Sequence, residues 1–397
     1  MQQLSLFSPS FQENVTIPSA ITRTLEAGAV LAVSLSGGKD SDAMLKYLVN
    51  LHAVHRWSGE LFAITADLGR IEWLGTLEHI QALCDELNVP LVVVKRQKGG
   101  MIERWEQRRR SLLTLQQVQA DTKMNALEQT EKKGSKPFWS SASARYCTKE
   151  LKTAVIDRYL RKFKAVVCAV GIRAQESASR AKKPHVQVRN DIAAAALKAD
   201  KGLDAYQHQD WADTAAMRSL VEGTKGRLAL TWNPILNWSV DEVWWQLGTS
   251  TAELARRRTL FRKGELLSAL QNWPAHWAYV SGNSRLSCSM CVLASAADIY
   301  NGAQHNPRTW LELALMETSS GWSFQQNKWL ADLPIRIDKR VEIVAYLNIV
   351  LAQLGLIRVW PALFILLFFV RTPVLVTALL LPEGAGAISS VLHNHRV

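Results

Sequence analysis

The hexapeptide Ser36–Ser41, Ser-Gly-Gly-Lys-Asp-Ser, constrains the fold more than any other stretch of the chain. The apolar run at 29–35 before it is typical of a buried strand, and residues 42–49 after it have the apolar spacing of a helix. A glycine turn between a strand and a helix start lets backbone N–H groups approach an anion, whose charge the helix dipole favours. The hexapeptide therefore predicts a phosphate-binding loop, with a chance glycine turn as the plain alternative.

The residue types in the loop narrow the kind of phosphate site. Lys39 adds a cation, and the hydroxyls of Ser36 and Ser41 add donors. The Walker A spacing is absent, because Val33 stands where its first glycine is required and Asp40 follows the lysine. The short loop resembles instead the PP-loop of ATP pyrophosphatases, which hold the β,γ-pyrophosphate while a nucleophile attacks the α-phosphate.

Strands and helices alternate in the first part of the chain, a rhythm that favours βαβ units and a parallel sheet. The predicted strands cover 29–35, 61–65, 91–94 and 165–170, and the predicted helices cover 40–55, 72–88 and 148–163. Ser239 is predicted to cap a further helix, with Glu242 three residues on completing a capping box. The fold class is therefore expected to be α/β.

The length of 397 residues allows about two domains of ordinary size. We predict a lead-in at 1–24, a nucleotide-binding α/β domain at 25–245, a helical region at 246–345 and a hydrophobic tail at 346–397. The net charge of +12 favours an anionic partner, nucleotide or nucleic acid, although a basic enzyme surface explains it equally well. Because the polar first residues lack the apolar segment of a signal sequence, we expect a cytoplasmic, reducing location without structural disulfides.

The apolar stretch at 359–381 leaves three interpretations open. It reaches the ~20 residues that span a bilayer, but Arg371 and Pro373 interrupt it, and a mid-membrane arginine costs about 3 kcal/mol. A single C-terminal membrane anchor, a packed helix pair and a stretch unrelated to the fold all remain as interpretations.

Polar residues follow two of the predicted strands, where open α/β sheets bind their ligands. Asp67 comes directly after the second strand and is placed to contact a nucleotide or its Mg²⁺, with a helix N-cap as the alternative role. Gly171, Arg173 and Arg180 follow the strand at 165–170. Forked guanidinium groups suit phosphate or sulfate oxygens, whereas a basic surface loop is the plain alternative.

Three of the five cysteines form a candidate ligand set. Cys288 and Cys291 make a C-x-x-C pair, a spacing that suits a metal ion, a cluster or a redox pair. Cys147, just before a predicted helix, is the third candidate. Three thiolates suit a [4Fe-4S] cluster with one open iron, a Zn²⁺ ion with a fourth ligand elsewhere is the alternative, and three unligated thiols are the plain interpretation. Cys84 and Cys168 are expected to be structural.

These motifs occur in the same order in the phosphoadenosine phosphosulfate (PAPS) reductase-like family, which the chain resembles over residues 28–300. The motifs that carry the resemblance are the Ser36–Ser41 loop, the Asp67 turn, Gly171-x-Arg173-x-x-Glu176-Ser177-x-x-Arg180, and the segment from Pro234 to Trp244. The resemblance implies a parallel-sheet, Rossmann-like PP-loop domain of the adenine nucleotide α-hydrolase kind, with a helical C-terminal region. It also implies nucleotide binding by Ser36, Gly37, Gly38, Lys39, Asp40, Ser41, Asp67, Gly171, Arg173 and Arg180, among which Lys39, Asp40 and Arg173 are catalytic.

Departures from the pattern indicate which members the chain resembles most. Sulfonucleotide reductases replace the loop lysine and carry a Glu-Cys-Gly-x-His motif, whereas this chain keeps Lys39 and lacks that motif. The cysteine trio is similar to that of the sulfur-transfer ATPases of DNA phosphorothioation and tRNA thiolation. The resemblance thus implies ATP with Mg²⁺, bound by Asp40 or Asp67, adenylylation of an acceptor with pyrophosphate release, and support of sulfur transfer.

Other readings of the same resemblance stay open. They are a sulfonucleotide reductase, a sulfate adenylyltransferase-like enzyme and, from another class, a catalytically idle nucleotide-binding module. The partners implied are an adenine nucleotide, a nucleic-acid substrate, and a sulfur-donor or defence-locus protein, and a homo-oligomer is compatible with each.

Overall fold

The structure is a computed structural model that describes residues 17–123, 137–194 and 226–335. The predicted tail at 346–397 and most of the predicted lead-in at 1–24 lie outside these residues. Contacts between Cα atoms divide the chain into a unit at 1–336 and a second unit at 337–397, and only the first contains described residues. The predicted domain boundaries stay predictions.

A six-stranded sheet forms the centre of the described chain, in the order β3-β2-β1-β4-β6-β5. Its strands are β1 Val30–Leu35, β2 Leu61–Asp67, β3 Leu91–Lys95, β4 Ala165–Val170, β5 Val186–Val188 and β6 Leu228–Trp232. Every neighbouring pair is parallel except β5 with β6, which is antiparallel. The α/β class and the four predicted strands are confirmed, whereas β5 and β6 were not predicted.

Helices connect and cover these strands. In chain order they are α1 Ser19–Glu26, α2 Lys39–His55, α3 Thr76–Glu86, α4 Met101–Lys123, α5 Tyr146–Thr148, α6 Ala154–Leu160, α7 Ala178–Ala181, α8 Val240–Gln246, α9 Thr251–Arg262, α10 Leu266–Leu270, α11 Ala278–Ser281, α12 Ala296–His305 and α13 Pro307–Ser320. A π-helical turn, Lys149–Thr153, joins α5 to α6, and short 3₁₀ turns occupy Ala174–Glu176 and Leu330–Asp332. The predicted capping box at α8 is confirmed, since Ser239 and Glu242 each accept the other's backbone N–H.

The order in which the chain adds strands to the sheet reverses at β1. This reversal creates the crevice where such sheets bind ligands. β1 pairs with β2 on one side and with β4 on the other, so that Leu35 lies beside Thr65 and Ser34 beside Val170. The segments that leave β1 and β4 therefore emerge side by side at the carboxyl edge of the sheet. This is the topological switch point of a doubly wound fold.

One large apolar core surrounds the sheet and extends into the helices after residue 246. The central strands are buried on both faces, as expected for parallel strands covered by helices. Leu254, Ala269 and Tyr279 belong to the same buried cluster. A second cluster packs Trp105, Trp139 and other apolar side chains between α4 and α13. The helices beyond α8 are thus packed directly on the sheet domain.

None of the helices in the described residues is long and apolar enough to cross a membrane. The apolar stretch at 359–381 lies outside those residues, so its three interpretations stay as they were.

Candidate functional site

The predicted phosphate loop forms the turn between β1 and α2. Gly37 has a φ of +67°, a backbone conformation that favours glycine, and a Cβ atom there would crowd the Thr76 methyl carbon at 3.1 Å. The Ser41 hydroxyl closes the loop, because it donates to the Gly38 carbonyl at 2.8 Å and accepts the Ser36 N–H at 3.2 Å. Helix α2 begins at Lys39, so its N-terminal end faces the crevice.

The three residues predicted to be catalytic come together at the start of α2. The Asp40 carboxylate accepts two hydrogen bonds, one on each oxygen. Lys39 Nζ donates the first at 2.9 Å, and Arg173 Nε donates the second at 2.5 Å. The Lys39 and Arg173 side chains are buried, and that of Asp40 is only 15% exposed. Within this trio two cations face one carboxylate, an excess of positive charge that suits an anionic ligand. The nearby buried Asp42 carboxylate is paired with His79 instead.

The segment after β4 lies directly against the loop. A Cβ atom on Gly171 would meet the Asp40 carbonyl oxygen at 3.2 Å, so glycine permits this close approach. The Arg173 guanidinium also donates to Gln175 Oε1 at 3.1 Å and to the Trp238 carbonyl at 3.4 Å. These contacts hold the Arg173 guanidinium in one orientation beside Asp40.

Further arginines surround the mouth of the crevice. The Arg180 guanidinium is half-buried, and burial lowers its pKa, with Arg285, Arg145 and Arg173 adding repulsion. Arg285 belongs to the segment before the C-x-x-C pair, and Arg145 precedes Cys147. The Arg180 guanidinium also forms an ion pair with Glu176. Arg145 and Arg285 were not predicted, and ligand binding at this edge stays a prediction.

Asp67 ends β2 and closes a turn, because its Oδ1 accepts the Gly69 N–H at 2.7 Å. It is not the N-cap of the next helix, which begins at Thr76. Glu72 lies beside it in a half-buried position, and burial raises the Glu72 pKa to about 7. A role for Asp67 in binding Mg²⁺ or nucleotide stays a prediction.

The three candidate thiols share one region, at the edge of the second apolar cluster. Burial raises the Cys288 pKa to about 12; the nearby Lys152 opposes that rise, and Cys291, Glu72 and Cys147 add to it. Yet the described residues contain no group of three or more His, Cys, Asp or Glu side chains arranged to hold a metal ion. In the described arrangement the three thiols are not positioned to hold an iron–sulfur cluster or a zinc ion. Binding of either group by these cysteines stays a prediction. Cys84 and Cys168 are buried, as expected for structural residues.

Two contacts to the loop had no counterpart in the sequence analysis. The Tyr279 hydroxyl accepts the Lys39 backbone N–H at 3.0 Å, from 240 residues away. The fully buried Asp42, one residue past the loop, accepts a hydrogen bond from His79 Nε2 at 2.8 Å. Each is a pairing between distant segments, and a single sequence shows no local pattern for such a pairing.

The fold agrees with the comparison to known families. Residues 30–264 match the phosphoadenosine phosphosulfate reductase domain. The match spans more than half of the chain, and the chain belongs to this family. A search of curated proteins finds no match.

Among solved structures, the chain is similar to the U34-tRNA thiolase NcsA from Methanococcus maripaludis with its [4Fe-4S] cluster. The likeness covers 66% of this chain and 75% of that chain, with 14% identity and a TM-score of 0.29. A likeness at this level does not bear on the substrate or cofactor of the present protein.

Proposed function

We propose that this protein binds ATP with Mg²⁺ in the Ser36–Ser41 loop and transfers the adenylyl group to an acceptor, releasing pyrophosphate in support of sulfur transfer. The proposal rests on one observation. Lys39 and Arg173 both form ion pairs with the Asp40 carboxylate at the start of α2. This arrangement places two fixed cations and a helix N-terminus at the switch point of the sheet.

The residues of the loop have distinct tasks in this reaction. An acceptor oxygen attacks the α-phosphate, the bond from that phosphorus to the bridging oxygen breaks, and pyrophosphate carries the released negative charge. Lys39 and Arg173 neutralise that charge, and because both are already fixed by Asp40 little reorganisation is needed. Asp40 or Asp67 would hold Mg²⁺ as a carboxylate ligand, and the ion would supply further positive charge to the phosphates.

The acceptor is proposed to be an anionic molecule, with nucleic acid as the leading class. Arg180, Arg145 and Arg285 surround the crevice mouth, and the chain carries a net charge of +12. In a second step sulfide attacks the acceptor atom that bears the adenylylated oxygen, the bond from that atom to the oxygen breaks, and AMP leaves with the oxygen. In this proposal a partner protein supplies the sulfide.

A sulfonucleotide reductase is the second candidate, favoured by the description of the family that the chain matches. Such an enzyme binds a nucleotide whose sulfate is already activated, so it has no pyrophosphate to release. The buried Lys39 beside the glycine turn favours ATP, because the loop then receives the charge of a leaving pyrophosphate.

Product analysis separates the two candidates. The protein is incubated with Mg²⁺–ATP and acceptors, and separately with PAPS or adenylyl sulfate and reduced thioredoxin. The proposal predicts AMP and pyrophosphate from ATP and no sulfite from the sulfonucleotides. Sulfite release without ATP cleavage would identify the reductase and overturn the proposal.

A further inference from the structure

Tyr279 makes a contact that connects the phosphate loop to the cysteine-bearing segment. Its side chain is 1% exposed, and its hydroxyl accepts two backbone N–H groups, that of Lys39 at 3.0 Å and that of Leu286 at 3.2 Å. The first belongs to the start of α2, and the second lies two residues before Cys288. One oxygen atom thus touches both regions.

The Lys39 N–H is one of the groups that a bound phosphate would use. The first N–H groups of a helix have no partner within the helix, and they are the donors of anion sites at helix starts. In the described structure the Tyr279 hydroxyl takes this donor. A phosphate oxygen in the loop and the Tyr279 oxygen therefore compete for the same hydrogen.

Leu286 transmits any movement of this contact because it also covers the glycine turn. Its side-chain carbons lie 3.5 Å from the positions that Cβ atoms would occupy on Gly37 and Gly38. Hydrogen bonds fix the segment on either side of Leu286. The Ser284 N–H and hydroxyl both donate to the Asp298 carboxylate, and the Ser289 hydroxyl donates to the Ile71 carbonyl at 2.8 Å. Between these two anchors, Tyr279 holds the residue that faces the loop.

We propose that Tyr279 is a positioning residue that couples nucleotide occupancy of the loop to the segment bearing Cys288 and Cys291. When a phosphate takes the Lys39 N–H, the Tyr279 hydroxyl loses that donor and accepts only the Leu286 N–H, so this remaining hydrogen bond strengthens. Nucleotide in the loop thereby fixes the cysteine-bearing segment more firmly. The inference rests on the proposed function, because it requires a phosphate in the loop.

Hydrogen exchange measured by mass spectrometry tests the coupling, with α,β-methylene ATP and Mg²⁺ as the ligand that cannot lose pyrophosphate. In the unaltered protein, peptides covering the Leu286 amide should exchange more slowly with the ligand, because the Tyr279 hydroxyl then accepts this N–H alone. Peptides covering the Lys39 amide should exchange more slowly. Calorimetric titration of the same samples records whether the ligand binds.

The Tyr279→Phe variant keeps the buried ring, over which Lys39 Nζ lies at 5.6 Å, and removes only the hydroxyl. The Leu286 amide should then exchange about fivefold faster without ligand, the factor expected for losing one ordinary hydrogen bond, and should not respond to ligand. Tyr300→Phe is the matched control, because its hydroxyl accepts only the nearby Gln304 side chain at 2.9 Å among the described contacts. It should respond as the unaltered protein does.

Each outcome decides between the coupling and the proposed function. Ligand binding with unchanged Leu286 exchange in the unaltered protein overturns the coupling alone, and this comparison needs no variant to fold. A Tyr279→Phe protein that still responds to ligand also overturns it, since a merely structural tyrosine would shift only the baseline. Absence of ligand binding overturns the proposed function and the coupling together.

Discussion

The Asp40 carboxylate accepts Arg173 Nε at 2.5 Å, and so joins two segments that lie 133 residues apart in the chain. Asp40 belongs to the start of α2, and Arg173 belongs to the segment that follows β4. Because β1 and β4 are neighbours in the sheet, the two residues meet where the crevice opens. This pair, with Lys39 on the second carboxylate oxygen, defines the centre of the proposed ATP site.

Replacing the forked guanidinium with a simple ammonium tests this pair. Arg173→Lys keeps the charge but loses the orientation set by Asp40, Gln175 and the Trp238 carbonyl. We expect ATP to bind about 10- to 100-fold more weakly, the range for losing a charge-assisted hydrogen bond. Calorimetric titration measures the change. Arg256→Lys, at an exposed ion pair with Glu253, is the control and should leave binding unaltered.

Removing the loop cation should slow the reaction more than it weakens binding, because pyrophosphate gains charge as it leaves. For Lys39→Met we expect kcat for AMP formation to fall about 10²- to 10³-fold, as for other fixed electrostatic groups. Lys46→Met is the matched control on the same helix, since Lys46 forms a more exposed ion pair with Glu86. An unchanged kcat in Lys39→Met would show that the lysine takes no part in the reaction.

The glycine turn offers a test that separates backbone strain from crowding. Gly37 and Gly248 both have positive φ, at +67° and +77°, but only Gly37 has neighbours within 4 Å of a Cβ position. Alanine at either position should lower the free energy of unfolding by about 1 kcal/mol through its backbone. Only Gly37→Ala should also abolish ATP binding. Retained ATP binding in Gly37→Ala would mean that the loop shape is not needed, and equal loss in both variants would mean that general destabilisation abolishes binding.

Stability should depend on pH through Glu72. Its pKa is raised from 4.5 to about 7 by burial, so the folded protein binds a proton that the unfolded chain has already released. Glu72 alone therefore lowers the free energy of unfolding by about 2 kcal/mol between pH 5 and pH 7. Buried His276, whose pKa burial lowers to about 3, acts in the opposite direction, so the Glu72 contribution is the difference between two pH profiles. Urea unfolding of the unaltered protein and of Glu72→Gln, in which the Glu72 contribution should disappear, measures the difference.

The loop and the central strands could be predicted because their patterns are local. Residues 29–41 contain a complete strand, turn and helix start, so the phosphate loop was visible in one short window. The Ser239 capping box was found for the same reason. Both signals depend on neighbours within a few residues, and the structure shows both.

The remaining parts of the site depend on partners that are distant in sequence. β5 has only three residues and pairs antiparallel with β6, so neither length nor flanking pattern indicated it. The contacts of Tyr279 with Lys39 and of His79 with Asp42 exist only once the sheet has formed. A tyrosine in an apolar helix is more often a core residue, and Tyr279 is indeed also buried in the core.

The most direct test of the central claim is exchange of labelled pyrophosphate into ATP. The protein is supplied with Mg²⁺, ATP, labelled pyrophosphate and candidate acceptors, namely inorganic sulfate, tRNA and DNA. The account predicts label in the β- and γ-phosphates of ATP with at least one acceptor, accompanied by AMP formation and abolished in Lys39→Met. Release of ADP and inorganic phosphate, or no exchange and no AMP with any acceptor, would contradict cleavage at the α-phosphate.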